Sequence, residues 1–248
     1  MNPSVARRLA PLLASVVLAA GADVTAASAI AGNPRLAPPR AVANQALPGT
    51  AAEREPPTPL RPAELLSLLL GFPAPAVPAD NPLTVAKVDL GHRLFYDRQL
   101  SGDGDYACAS CHRQELAFTD GRSRAVGTTG QLHRRSAPSL TNVAYEASLG
   151  WADPGLTRLE DQVKVPLLST DPVELGVAGH EGEVVARLTA DAGTRTAFAA
   201  AFPGEAEPVT LANVGRALAS FERTLISGDS PFDRLLFRGE MDALSAAA

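Results

Sequence analysis

The sequence predicts a mainly α domain in which helices at the two ends frame a long, loop-rich middle. Apolar residues recur at intervals of three and four over residues 83–96 and again beyond residue 181. Residues 101–158, by contrast, are studded with Gly, Ser, Asp and Pro and show no sustained strand alternation. Inside that middle lies CASCH, residues 108–112, which holds both cysteines of the 248-residue chain.

At the N-terminus, Arg7 and Arg8 precede the apolar run LAPLLASVVLAAGA and a small-residue stretch ending Ala27-Ser28-Ala29. That is the order of a secretory signal peptide, and the run is shorter than the roughly 20 apolar residues of a membrane-spanning helix. We expect residues 1–29 to act as an export signal and nothing later in the chain to span a membrane. Residues 30–79 read as a tether, because 12 of the 21 prolines fall between positions 33 and 82. Proline fixes φ and removes a backbone donor, so such a stretch stays extended. One interruption, AELLSLLL at 63–70, predicts a short docking helix, and the folded domain is expected over 80–248.

Within the domain, Val85, Val88, His92 and Phe95 share a helical face, with Asp80, Asn81 and Pro82 as start signals. EGEVVARLTAD (181–191) carries acids in its first turn, where they complement the helix dipole. TRTAFAAAF (194–202) stops before Pro203. Thr210 is placed to cap a helix in which Leu211, Val214, Leu218, Phe221 and Leu225 form an apolar stripe, a pattern that reads as core. The net charge of -5 and the lack of any Lys/Arg run give no basis for a nucleic-acid partner.

Three chemistries use two thiols and an imidazole at the spacing of Cys108, Cys111 and His112. Structural zinc needs four ligands, so His92, His133 or His180 would have to contribute. A redox dithiol expects a βαβ context that these surroundings do not supply. Covalent c-type haem joins both thiols to the vinyl groups and uses the adjacent histidine as an iron ligand. Only the haem reading employs the whole cluster, and it suits a loop-rich exported domain. For the other face of the iron, Met1 lies in the signal and Met241 near the end, which leaves His92, His133 and His180. Each has a structural reading: His92 as a helix residue, His133 in an exposed loop beside Arg134 and Arg135, His180 just before a helix. An open distal side follows as the expectation.

Longer stretches carry a resemblance. LGHRLFYDRQLSGDGDYACASCHRQELAFTDGRSRAVGTTG, APSLTNVAY, WADPGLTRLEDQ, PVELG, AFPGEAEPVT and ALASFERTLISGDSPFD resemble the first haem domain of the bacterial dihaem cytochrome c peroxidase and MauG group. PADNPLTVAKVDLGHRLFYD with WADP is similar to the MbnH-type, MauG-like enzymes that accompany methanobactin-type copper proteins. The resemblance covers residues 80–245 and implies a cytochrome c-like domain whose long loops wrap one covalent haem c. It implies a periplasmic oxidoreductase that reacts with hydrogen peroxide and oxidises a protein partner, such as a tryptophan of a companion copper-binding protein.

By motif, Gln162, Pro166 and Glu174 fall where the group lines the distal pocket, and Trp151 where it places an aromatic between its two haems. Read alone, these are a helix-surface amide, a helix-stopping proline, a solvated carboxylate and a core indole. Splitting peroxide requires a proton to move from one oxygen to the other, which a placed carboxylate such as Glu174 can relay; Gln162 would donate a hydrogen bond. The removable distal histidine of the classical peroxidases corresponds here to Thr128, which sides with the MauG-like enzymes. Ser136 stands where the relatives use an asparagine for an interdomain calcium. The second haem domain of the family is not in this sequence, so a further haem-bearing chain is an expected partner. Competing readings are a monohaem electron carrier and a haem-binding fragment without turnover.

Overall fold

The computed structural model describes residues 72–151 and 153–244. The expected signal peptide, the tether up to residue 71 and the 63–70 helix lie outside them. Eight α-helices follow in order: α1 (Val85–Tyr96), α2 (Cys108–Cys111), α3 (Leu159–Gln162), α4 (Lys164–Leu168), α5 (Glu181–Ala190), α6 (Ala192–Ala201), α7 (Leu211–Glu222) and α8 (Pro231–Arg238). Among the described residues there is no strand, only three isolated antiparallel bridges. The domain is mainly α.

The two long helices start where hydroxyls cap them. Thr84 Oγ1 accepts the Lys87 N–H at 3.2 Å, two residues beyond the proline expected to open α1. Thr210 Oγ1 accepts the Asn213 N–H at 3.1 Å to open α7, and Asp191 caps α6 through the Thr194 N–H at 2.6 Å. Helices α1 and α7 cross at Gly91, where a Cβ would stand 2.0 Å from the Ala217 carbonyl oxygen. Only glycine permits that approach. Around the crossing, Leu90, Leu94, Phe95, Phe198, Val214 and Leu218 are fully buried, each worth about 1.5–3 kcal/mol of apolar transfer. Helices α2, α4 and α8 were not expected; α2 and α4 are single turns too short to show a period, and Pro166 lies inside α4 where the sequence read a helix stop.

The middle of the chain is held by side chains that bond to backbone. Ser101 donates to Asp103 Oδ1 at 2.7 Å, Tyr106 Oη to the Val126 carbonyl at 2.6 Å, and Thr119 Oγ1 to the Ala137 carbonyl at 2.6 Å. Arg187 of α5 reaches back to the carbonyls of Gln99 and Gly102 at 3.1 and 3.2 Å. These bonds replace the missing regular structure, because buried backbone groups must find partners somewhere.

One buried polar network locks the scaffold. Arg223 donates to both Glu160 oxygens at 2.7 and 2.8 Å, Asn81 Nδ2 donates to Glu160 Oε1 at 2.7 Å, and Lys87 Nζ donates to Asn81 Oδ1 at 3.0 Å. Burial alone would raise the Glu160 pKa, but the Arg223 and Asn81 hydrogen bonds outweigh it and hold the carboxyl below its ordinary value. Residues 72–79 also lie on this scaffold: Tyr145 Oη donates to the Pro73 carbonyl at 2.9 Å and Arg223 Nε to that of Ala76 at 3.3 Å.

Candidate active site

Helix α2 is one turn, so Cys108 and Cys111 sit three apart on the same side of it. Ser110 Oγ accepts the Ala107 N–H at 3.1 Å and the His112 N–H donates to the Cys108 carbonyl at 2.9 Å, which closes both ends of the turn. The His112 ring lies with Nδ1 2.8 Å from the Phe118 carbonyl. A carbonyl can only accept, so Nδ1 carries the hydrogen and Nε2 keeps its lone pair. Burial holds this imidazole below its ordinary pKa, the Phe118 and Pro138 carbonyls opposing only in part. The ring is therefore neutral and ligand-ready at neutral pH.

Both thiols are free. Burial pushes both above the ordinary thiol value, Cys108 furthest, with Glu222 adding to it. A redox dithiol needs a depressed pKa and an electropositive setting, which is the opposite of this one. Among the described residues no three His, Cys, Asp or Glu side chains are grouped to hold a metal ion, so the zinc reading lacks its further donors.

These three residues line a cleft with about 570 Å³ of empty volume, part of it open to solvent. Gln162, Pro166 and Glu174 line the same cleft, with Phe95 and Leu218 among its apolar walls. The apolar stripe of α7 thus serves core and cleft together. Glu174 is positioned through its backbone: its carbonyl accepts the Thr128 N–H at 2.8 Å, and the Leu175 N–H donates to the Pro166 carbonyl at 2.9 Å. A Cβ at Gly127 would stand 1.9 Å from the Val173 carbonyl oxygen, so glycine is what lets the two loops touch. Burial raises the Glu174 carboxyl, with His133 pulling the other way. The Thr128 hydroxyl donates to Asp103.

Of the three spare histidines only His133 reaches the cleft. His92 is buried against Tyr96 and Phe221, with ring centroids 5.3 and 5.1 Å away, and His180 is exposed beside Glu183 at 3.3 Å. Sequence places His133 in an exposed loop; the structure leaves Arg134 and Arg135 outside but buries the imidazole to 8% exposure. Its Nδ1 is 4.0 Å from Glu174 Oε1, and its Nε2 is buried without a hydrogen-bond partner.

Glu222 also lines the cleft and went unnoticed in the sequence. Its Oε2 is buried and unpartnered, because the neighbouring Arg223 is committed to Glu160. Burial pushes this carboxyl up to about 8. The signal was its position: four residues after Leu218 and eight after Val214, an acid within the apolar stripe. Trp151 does not join the cleft or the core. It is 58% exposed, its Nε1 donates to the Ser136 carbonyl at 3.0 Å, and the Arg135 guanidinium lies 5.9 Å from its ring. Met241, at 82% exposure, is outside the cleft as well. Two thiols, a neutral imidazole and unpartnered buried polar atoms on apolar walls fit haem c.

A mainly α fold whose irregular loops enclose a CxxCH-bearing cleft defines a cytochrome c-like haem domain. The chain belongs to the di-haem cytochrome c peroxidase family, whose model matches residues 85–242. It is 39% identical over 171 residues to the methylamine utilization protein MauG of Methylorubrum extorquens, covering 69% of this chain and 46% of that protein. It is 34% identical to the cytochrome c peroxidase Ccp of Escherichia coli, covering 70% of this chain and 36% of the relative. Among solved structures, a MauG-like protein associated with microbial copper homeostasis superposes with a TM-score of 0.68 at 46% identity, over 71% of this chain and 50% of that one. The chain thus spans half or less of the length of these relatives.

Proposed function

We propose that this chain carries one covalent haem c on Cys108, Cys111 and His112 and forms the peroxide-reacting half of a MauG-like dihaem enzyme in the periplasm. The observation that supports it is convergence: residues 108–112 and residues 162–174 meet in one cleft. Haem c bound there supplies a redox iron at which hydrogen peroxide takes up two electrons and two protons and leaves as two waters. The electrons come from a protein partner, which is oxidised; the copper-associated relative makes a companion copper protein the partner we favour. His112 Nε2 is the ligand nitrogen, kept in place by the Phe118 carbonyl. Glu174, whose pKa is raised by burial, holds and delivers a proton inside the cleft, and Gln162 orients the peroxide by a hydrogen bond. Pro166 closes the wall without adding a donor.

A second haem domain, in the same polypeptide or another, completes the enzyme. Helix α8 supports this with an apolar face that nothing among the described residues covers: Phe232, Leu236 and Phe237 are 59, 60 and 47% exposed. Trp151, exposed on its own loop, is the aromatic we assign to electron exchange with the partner.

The test is production with c-type maturation and mass spectrometry. One haem should be added to the wild type and none to the Cys108→Ala/Cys111→Ala protein; a haem-free product with both thiols intact would overturn the reading. In stopped-flow mixing with peroxide, Glu174→Gln should react on the order of 100 to 10,000 times more slowly at unchanged haem content.

A further inference from the structure

We infer that His133 is a second acid–base residue of this site, paired with Glu174. The inference rests on the peroxide reading above and deepens it. His133 is buried against the cleft, and one of its nitrogens has no partner in the protein. An unpaired buried polar atom is costly, so a ring that keeps one is held in place for what its other nitrogen meets. Its two nitrogens face different things. Nδ1 points to Glu174 Oε1 at 4.0 Å, an acceptor when ionised, which favours the tautomer with hydrogen on Nδ1 and a lone pair on Nε2. Nε2 also lies against the backbone of Gly127, where a Cβ would come within 3.0 Å of it. Such a place at the wall suits a group that handles protons beside a bound molecule more than one that ligates a metal.

The charged groups around this imidazole are few. Glu174 faces it from the loop after α4, Arg124 Nε donates to the His133 carbonyl rather than to the ring, and Glu222 lines the cleft from α7. Glu174 takes the proton from one oxygen of hydrogen peroxide, with the Nδ1 side of the His133 ring facing the carboxyl at 4.0 Å. The pair then returns that proton to the departing oxygen, which leaves as water. One proton is taken and one returned, so the pair ends as it began.

The test uses the haem-loaded chain, with cyanide as a non-turnover probe. At pH 7 cyanide is a neutral acid that must lose its proton to bind ferric iron, so its association rate reports a base in the cleft. His133→Gln should slow cyanide association about tenfold or more while the ferric spin state and haem content stay as in wild type. Glu174→Gln added to His133→Gln should slow association no further than the slower single change, because the two act as one unit. A conversion from low-spin to high-spin iron in His133→Gln would show that His133 is an iron ligand and would overturn the inference. Wild-type cyanide rates in His133→Gln, with Glu174→Gln slowed, would overturn the role of His133 alone; wild-type peroxide rates in Glu174→Gln would overturn the parent reading. If His133→Gln fails to load haem, His133→Asn decides: wild-type cyanide association in that variant, with Glu174→Gln slowed, would overturn it.

Discussion

Two buried glutamates, Glu160 and Glu222, sit on either side of Arg223 in the structure and behave in opposite ways. Glu160 takes both arms of the guanidinium and the Asn81 amide, and stays ionised in the interior. Glu222, adjacent to Arg223 in the chain, receives no hydrogen from it and holds its proton up to about pH 8. The first belongs to the scaffold where α1, α3 and α7 meet, and every polar group there has a partner. The second belongs to the cleft, where Glu222 and His133 each keep an unpartnered atom. Buried polar groups in a folded protein are normally satisfied, and two that are not, on His133 and Glu222, both line the cleft.

The largest effect should come from breaking the scaffold half of this contrast. Arg223→Leu strands the Glu160 carboxylate without its bidentate partner, and removing one member of a buried pair costs about 3–5 kcal/mol. Guanidinium unfolding should show that loss, and Glu160→Leu combined with Arg223→Leu should recover part of it. If Arg223→Leu unfolds at the wild-type midpoint, the network is not what locks α7 to α3.

Much of the scaffold was readable in the chain, because its signals are local. Thr210 before an apolar stripe fixes the start of α7, and CASCH announces its chemistry at three-residue spacing. The cleft was only half readable. Cys108, Cys111 and His112 lie together in sequence, and Gln162, Pro166 and Glu174 came through family motifs; all six line the cleft. His133 was read as an exposed-loop residue and Glu222 was passed over, since their burial depends on distant crossings. His133 goes inward because the Gly127 loop touches Val173, some 46 residues away, and no local pattern records that contact. Trp151 failed in the other direction: a lone indole reads as core, yet its ring stays outside, tied to the Ser136 carbonyl.

The cleft half of the contrast gives a smaller effect with a defined sign. Between its ordinary 4.5 and about 8, Glu222 stays protonated in the folded state and releases its proton on unfolding. The native state then binds more protons, so stability falls as pH rises through that window, by up to about 1.4 kcal/mol per pH unit. His92 and His112, both held below 6.5 by burial, act with the opposite sign, and their contribution levels off only about one pH unit above 6.5. The comparison of wild type with Glu222→Gln at pH 6.5 and 8 isolates Glu222: the wild type should lose stability relative to the variant as pH rises. An equal slope in wild type and variant would assign the titration to another group.

The smallest effect sharpens the comparison from outside both regions. Trp151 is the single tryptophan of the chain and neither scaffold nor cleft claims it. Its one hydrogen bond goes to a backbone carbonyl at an exposed loop, and the nearby Arg135 guanidinium lies over the ring at a distance where an exposed cation–π contact is worth about 0.5–1 kcal/mol. Trp151→Phe keeps an aromatic face for that cation and loses only the indole donor, so stability should change by about 0.5 kcal/mol or less. Haem content and cyanide association should not change, because the ring does not line the cleft. What should fall is the rate at which electrons arrive from a protein partner, the role left to an exposed aromatic. Unchanged partner oxidation in Trp151→Phe would return the residue to the ordinary surface, and a loss of haem would mean that the loop carrying it helps shape the cleft after all.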